Sequence, residues 1–469
     1  MDEWRRIARF GLPLAGGALL IAVLWLARHP KPAAPPAPLR AGTGQAGQSA
    51  GTAVTILTDF SASFAPYNWS DRLALSRLAD GIGELASRQW QTGGPVTITW
   101  RRIGAASVVA PPVCPPIEFS RSLLGGQGSV EGLKKALAGC AAAAGKLSSQ
   151  TEAYTDISGA IRRAAESLRD FAGQKVLVVF SDLREDPVPG ARPVSFQLGG
   201  ASVLLVHRPG TEDHDPGRYF ERIRAWARLL QQRGAGQVRQ QSAYAITQQS
   251  EAGFLQAAEA PASSTATVLI DFKDRFAGGG REAGVNQARA LLGMLSRLAA
   301  NWTPPVVMHL GATAGTALRM QWMPPVIFDP KLIPRPGQIN RPEDLEIALD
   351  EMLIGLAKTA AAQTSADLTG AIALSAFGDH ARGARSYLFV VSDLVDSSAA
   401  SLADLGVKLD GCKAVLLYRP ASADAANPGA YFSRIQQWRE RLRQAGAASV
   451  CAVEMDELHE NSLRKCVSD

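Results

Sequence analysis

The chain has 469 residues, 46% of them hydrophobic and 20% charged, which is enough apolar side chain for more than one core and too little charge for a broadly disordered polymer. Its formal net charge of +6 sits mainly at the start: six basic against two acidic residues give +4 to residues 1–50, leaving +2 for the rest. A nearly neutral body lacks the concentrated basic face of a nucleic-acid binder, so no nucleic-acid partner is expected.

Residues 10–27, FGLPLAGGALLIAVLWLA, form an uncharged stretch framed by Arg5, Arg6 and Arg9 before it and Arg28 after it. As a helix it would reach about 27 Å, enough for a thin bilayer core. No small-x-small cleavage pattern follows, so the reading is an uncleaved transmembrane anchor over 1–28, with a cleaved signal peptide as the alternative. Basic residues flank the span equally, and the positive-inside rule barely discriminates. A short basic head before a long body points to a single-pass protein of a bacterial inner membrane with its body in the periplasm. Residues 29–51 are rich in Pro, Ala, Gly and Ser and read as a tether.

Beyond the tether the chain repeats itself. VTILTDF (54–60) matches TVLIDF (267–272), CPPIEF (114–119) echoes MPPVIF (323–328), and DISGAI (156–161) matches DLTGAI (367–372). VLVVFSDL (176–183) matches YLFVVSDL (387–394), and YFERIRAWARLLQQRGA (219–235) matches YFSRIQQWRERLRQAGA (431–447). The order is kept and the offsets stay between 209 and 212 residues, which is a duplication of a globular domain rather than a solenoid. The copies are placed at 52–250 and 265–469, with the boundary where QSEAGFLQAAEAPASSTA loses strand and helix signals.

Within each copy the elements alternate. LALSRLADGIGELASR has helical spacing, VTITW reads as a strand, ISGAIRRAAESLRDF as a helix, and VLVVF and SVLLVH as strands apolar on both faces. That alternation predicts an α/β fold: two tandem Rossmann-like, doubly wound parallel sheets after an N-terminal transmembrane helix. The residues 104–150 read as a loop-rich insert. YFxRIxxW reads as an amphipathic helix packing on the sheet, and TEDHD (211–215) as a solvated loop. Five cysteines occur; Cys114 with Cys140, and Cys451 with Cys466, could each close a short disulfide, leaving Cys412 over.

In such sheets the ligand site lies beyond the carboxyl ends of the strands, so the polar residues after the apolar runs are the candidates. In the first copy these are Asp59, Ser61 and Ser63 after one strand, Ser181 and Asp182 after another, Arg208 after SVLLVH, and Thr155 before a helix. All except Arg208 offer hard oxygen, the ligand Mg²⁺ prefers. Neutral hydroxyls leave a bound cation electron-poor and open to a carboxylate from another molecule.

DFSASF, YTDISGAI and VLVVFSDL resemble the von Willebrand factor type A (VWA) domain and its metal-ion-dependent adhesion site. The resemblance covers about residues 52–250 and, more weakly, 265–469. It implies that Asp59, Ser61, Ser63, Thr155 and Asp182 bind Mg²⁺, or Mn²⁺ or Ca²⁺, and that the partner is a protein presenting an acidic side chain. Leu183 departs from the family, which often has Gly there. In the second copy Asp271 and Asp393 remain, but Lys273, Arg275 and Ala366 stand where Ser61, Ser63 and Thr155 would be. The expectation there is a degenerate site in which Lys273 or Arg275 replaces the cation.

The resulting reading is a membrane-anchored, metal-dependent protein–protein interaction protein and not an enzyme. A metal-dependent hydrolase (phosphatase or nuclease) and a metal-free scaffold are the alternatives. The six histidines do not gather at the candidate site, and no general acid or base is evident beside it.

Overall fold

The computed structural model describes residues 51–64, 67–92, 94–119, 129–190, 194–244, 264–272, 281–313, 315–331, 339–359, 365–376, 385–420, 424 and 427–468. The expected anchor, nearly all of the tether, and most of the expected boundary between copies lie outside them. Among the described residues no helix is long and apolar enough to cross a membrane. Residues 49–469 form one compact unit.

The first sheet has six strands in the order β3-β2-β1-β4-β5-β6. Here β1 is Thr52–Asp59, β2 Val96–Ile103, β3 Ile117–Phe119, β4 Gln174–Ser181, β5 Ser202–His207 and β6 Gln237–Ser242. Helices α1 (Trp69–Thr92), α2 (Val130–Leu147), α3 (Ile157–Arg169) and α4 (Pro216–Gln232) connect them. The second sheet repeats the order as β10-β8-β7-β11-β12-β13, with β9 pairing on β8. Its strands are β7 (Ser264–Ile270), β8 (Val306–Ala312), β9 (Gln321–Trp322), β10 (Val326–Phe328), β11 (Arg385–Ser392), β12 (Lys413–Tyr418) and β13 (Ser449–Glu454). Its helices are α5 (Arg281–Ala299), α6 (Pro342–Thr359), α7 (Leu368–Ala376), α8 (Pro428–Gln444) and α9 (Glu460–Val467).

Both sheets are mixed, which corrects the all-parallel expectation. β3 runs antiparallel to β2, β10 antiparallel to β8, and β9 antiparallel to β8, while the other pairs are parallel. No helix lies between β2 and β3 among the described residues, and a parallel return would need such a crossover. The expected insert is corrected too. Residues 104–150 hold β3 and the 18-residue helix α2, and β10 and α6 take the same places in the second half.

Central strands are buried along their length because helices cover both faces; every residue of β1 is buried. α3 begins where the Asp156 carboxylate accepts the Gly159 N–H (2.7 Å), and it buries Ile157, Ala160, Ile161, Ala164 and Leu168 along one stripe. α4 and α8 start alike, with Asp215 and Asn427 as caps followed by Pro216 and Pro428 in the first turn.

One apolar cluster packs α1 and α2 on a face of the first sheet, and a second packs α5, α6 and α9 on a face of the second sheet. A third takes in the remaining faces of both sheets, from Leu57, Val179 and Trp226 to Leu269, Val390 and Trp438. The two halves therefore share a core. Cys114 and Cys140 are disulfide-bonded (Cα–Cα 5.5 Å), as are Cys451 and Cys466 (5.6 Å). Cys412 is a buried thiol whose pKa burial pushes up to about 12.

Candidate metal site

The carboxyl ends of β1 and β4 bring four loops together. After β1 the chain turns at once, and the Asp59 carboxylate accepts the Ser61 N–H through Oδ1 (2.8 Å). Its Oδ2 accepts the Ser181 hydroxyl from the end of β4 (2.5 Å), and Ser181 Oγ accepts the Leu183 N–H (2.8 Å). The Tyr67 hydroxyl donates to the Asp59 carbonyl (2.9 Å). The Ser61 and Ser63 hydroxyls lie 3.1 Å apart. Ala62 N–H donates to the Glu152 carbonyl (2.9 Å), and Thr155 exchanges two backbone hydrogen bonds with Asp186 (2.8 and 2.9 Å). Thr211 N–H donates to the Ser63 carbonyl (2.8 Å) and so ties in the loop after β5.

Asp59 and Asp182 are fully buried. Burial, then the charge of Asp182, pushes the Asp59 pKa up to about 7 despite the hydrogen bonds from Ser181 and Ser61. Burial also raises Asp182. Oδ1 of Asp182 accepts the Arg184 N–H (2.9 Å), whereas its Oδ2 is buried without a well-formed hydrogen bond, the Ser63 hydroxyl nearby acting to lower the carboxyl's pKa against burial. Gly210 faces that oxygen, and a Cβ there would collide with it and stand 2.9 Å from the Ser63 carbonyl. Leaving a buried carboxylate oxygen without a donor is costly. Two such acids beside neutral hydroxyls, in a gap kept open by a glycine, fit a hard divalent cation. Among the described residues no three His, Cys, Asp or Glu side chains group to hold a metal, so Ser61, Ser63 and Thr155 would supply the remaining oxygens.

Several residues that shape the site read differently in the sequence. In YFxRIxxW, Arg222 Nε donates to the Asp182 carbonyl (3.1 Å) and Trp226 Nε1 to the Leu183 carbonyl (2.9 Å). The motif thus packs on the sheet and also holds the turn after β4. Recurrence of its Arg and Trp, and not only its apolar positions, was the available signal. TEDHD is not simply a solvated loop: Asp213 is buried, takes two contacts from Arg222 Nη2 (2.7 Å each), and accepts the Gly210 N–H (2.8 Å). Arg208 is buried against Asp71 (2.7 and 2.8 Å), bonds the Phe64 carbonyl and stacks over the Phe64 ring, so it anchors the far end of the Asp59–Phe64 loop. Leu183 has φ +58°, the conformation that favours Gly, and its side chain is buried in the shared core.

The second half builds the same turn. Ser392 Oγ donates to Asp271 Oδ2 (2.7 Å), Val395 N–H donates to Asp393 Oδ1 (2.9 Å), and Leu394 has φ +61°. Arg434 Nε and Trp438 Nε1 donate to the carbonyls of Asp393 (3.1 Å) and Leu394 (2.9 Å), and Arg434 pairs with Asp424 (2.6 Å). In place of Thr155 stands buried Ala366, which has no hydroxyl. Lys273 and Arg275 lie outside the described residues.

The chain matches no family model and no curated protein. Among solved structures it is similar to proximal thread matrix protein 1 from the mussel byssus. A second crystal form of that protein shows 8% identity, TM-score 0.26, and coverage of 89% of this chain and 96% of that one. Another structure shows 9%, 0.27, 89% and 95%. A third, titled as having a zinc-occupied MIDAS motif, shows 9%, 0.27, 89% and 96%.

Proposed function

We propose that the first half is a metal-dependent protein-interaction module in which Asp59, Ser61, Ser63, Thr155 and Asp182 hold Mg²⁺, with Mn²⁺ and Ca²⁺ as substitutes. The supporting observation is the buried Oδ2 of Asp182, without a well-formed hydrogen bond, in the same loop cluster as the Ser61–Ser63 hydroxyl pair and buried Asp59. When bound, the ion supplies an electron-poor coordination position for a carboxylate of a partner protein. The chain's own part is to hold the loops rigid: Ser181 orients Asp59, Arg222 and Trp226 fix the turn carrying Asp182, and Arg208 pins Phe64.

This is binding rather than catalysis, and the protein is proposed not to be an enzyme. Residues 10–27 are proposed to anchor it in a bacterial inner membrane, with the body in the periplasm. Titration of Mn²⁺ into the full chain, followed by paramagnetic resonance of the free ion, tests the site. One ion bound, and lost in Asp59→Ala with Ser61→Ala, supports the reading; unchanged binding in that variant refutes it. Protease added outside spheroplasts tests the topology: a body protected from digestion would overturn the periplasmic placement.

A further inference from the structure

The face around the metal loops carries several arginines: Arg208 is paired with Asp71, and three others of the first half are matched by acids of TEDHD. Arg184 pairs with Glu212 (2.6 Å), Arg218 with Asp215 (3.5 Å) and Arg222 with Asp213 (2.7 Å). Arg319 belongs to the second half and reaches across to the loop after β5. Its Nη2 donates to the Thr211 carbonyl (2.7 Å) and lies 3.5 Å from His214 Nδ1. Among the described residues no carboxylate pairs with it, and it is exposed.

Its position is fixed from both sides. Ala317 and Leu318 are buried in the shared core, and the Ala317 N–H donates to Asp367 Oδ2 (3.0 Å). Thr211, which Arg319 grips, bonds the Ser63 carbonyl through its N–H and also its hydroxyl (3.3 Å). It directly follows Gly210, the residue facing Asp182 Oδ2. A guanidinium from the second half therefore sits one residue from the loop that frames the metal ligands. A fixed, exposed cation without its own counter-charge is a ready acceptor for an anion.

Resting on the metal reading above, we propose that the second half completes the binding face through Arg319, so that the preferred partner is an acidic segment with two carboxylates. One carboxylate meets the metal and the other meets Arg319. In an extended segment, side chains two residues apart point the same way at about 7 Å spacing, so one such segment can present both carboxylates to a single face.

The test uses the full chain in detergent with Mn²⁺ and two fluorescent peptides, read by anisotropy. One peptide carries two aspartates two residues apart, and in the other the second aspartate is asparagine. Wild type is expected to favour the two-acid peptide by about two- to five-fold, the worth of an exposed ion pair. Arg319→Gln is expected to abolish that preference, and Arg319→Glu to invert it, both with Mn²⁺ affinity unchanged. Equal binding of the two peptides, an intact preference in Arg319→Gln, or binding of neither peptide by the Mn²⁺-loaded chain would overturn the proposal while leaving the metal reading standing. Absence of Mn²⁺ binding to wild type would overturn both, and the separate metal titration distinguishes these cases.

Discussion

The strand ends of the two halves share one scaffold and carry different side chains. In both, a serine at a strand end orients a buried aspartate, a leucine takes a left-handed turn, and an arginine and a tryptophan hold that turn from a following helix. Only the first half adds hydroxyls at 61, 63 and 155; the second has Ala366, and Lys273 and Arg275 by sequence. The turn is thus a device of the fold, kept whatever the ligand set, whereas the hydroxyls are an addition to it. On the proposed function, architecture and metal binding are separable within a single chain.

The largest expected contrast is in metal affinity. Thr155→Ala should weaken Mn²⁺ binding by at least about tenfold, since it would remove one oxygen of the proposed ligand set. The reverse change in the second half, Ala366→Thr, should create no second site in an isothermal titration, because the other two hydroxyls would still be missing. A second ion bound by Ala366→Thr would mean that the halves differ less than their sequences suggest.

In stability, the largest contrast concerns the disulfides, one in each half. The Cys114–Cys140 loop spans 26 residues and the Cys451–Cys466 loop 15, so chain entropy gives each about 3 kcal/mol. Replacing either pair by serine should lower stability to urea by comparable amounts. A loss confined to one pair would show that the other crosslinks a segment already ordered when unfolded.

Acid should separate the halves. His207 at the end of β5 is buried beside the Tyr219 hydroxyl (2.6 Å), and burial, then Arg222, pushes its pKa down to about 3. The unfolded state then takes up the proton first. The stabilisation is complete above pH ~6.5 and is lost as pH falls toward 3, by about 2–3 kcal/mol at pH 4.5. Tyr418 holds the matching position in the second half, so His207→Tyr should remove that loss and shift the change in urea stability between pH 7 and 4.5 by about 2–3 kcal/mol relative to wild type, while buried Asp59, whose raised pKa acts in the opposite direction, is left in place. A slope unchanged in that variant would assign the acid sensitivity to other groups.

The smallest effect sharpens the comparison most. Trp226→Phe and Trp438→Phe each remove one buried hydrogen bond to a turn carbonyl and should cost about 1–2 kcal/mol. Trp226→Phe alone should also weaken Mn²⁺ binding. Equal effects of the two variants on metal affinity would break the link between this turn and the site.

Much of this was legible in the sequence, and the omissions have physical reasons. Continuous apolar runs such as VLVVF revealed the central strands because both faces are covered. The polar edge strand QVRQQS gave no such signal, being largely half-buried. Ser61, Ser63 and Thr155 were readable as an oxygen set, and Asp59 and Asp182 as strand-end acids. The roles of Arg222 and Asp213 were not, since an arginine on an amphipathic helix and an acid-rich loop both read as solvated until the fold places them against Asp182. Leu183 showed only as a departure from Gly; the shared core that receives its side chain depends on both halves.

Counting bound ions by equilibrium dialysis of the full chain against Mn²⁺ tests the central claim most directly, with Asp182→Asn and Asp393→Asn alongside. One ion per wild-type chain, none in Asp182→Asn and one in Asp393→Asn is the predicted result. No ion in wild type, or an ion retained in Asp182→Asn, would contradict it.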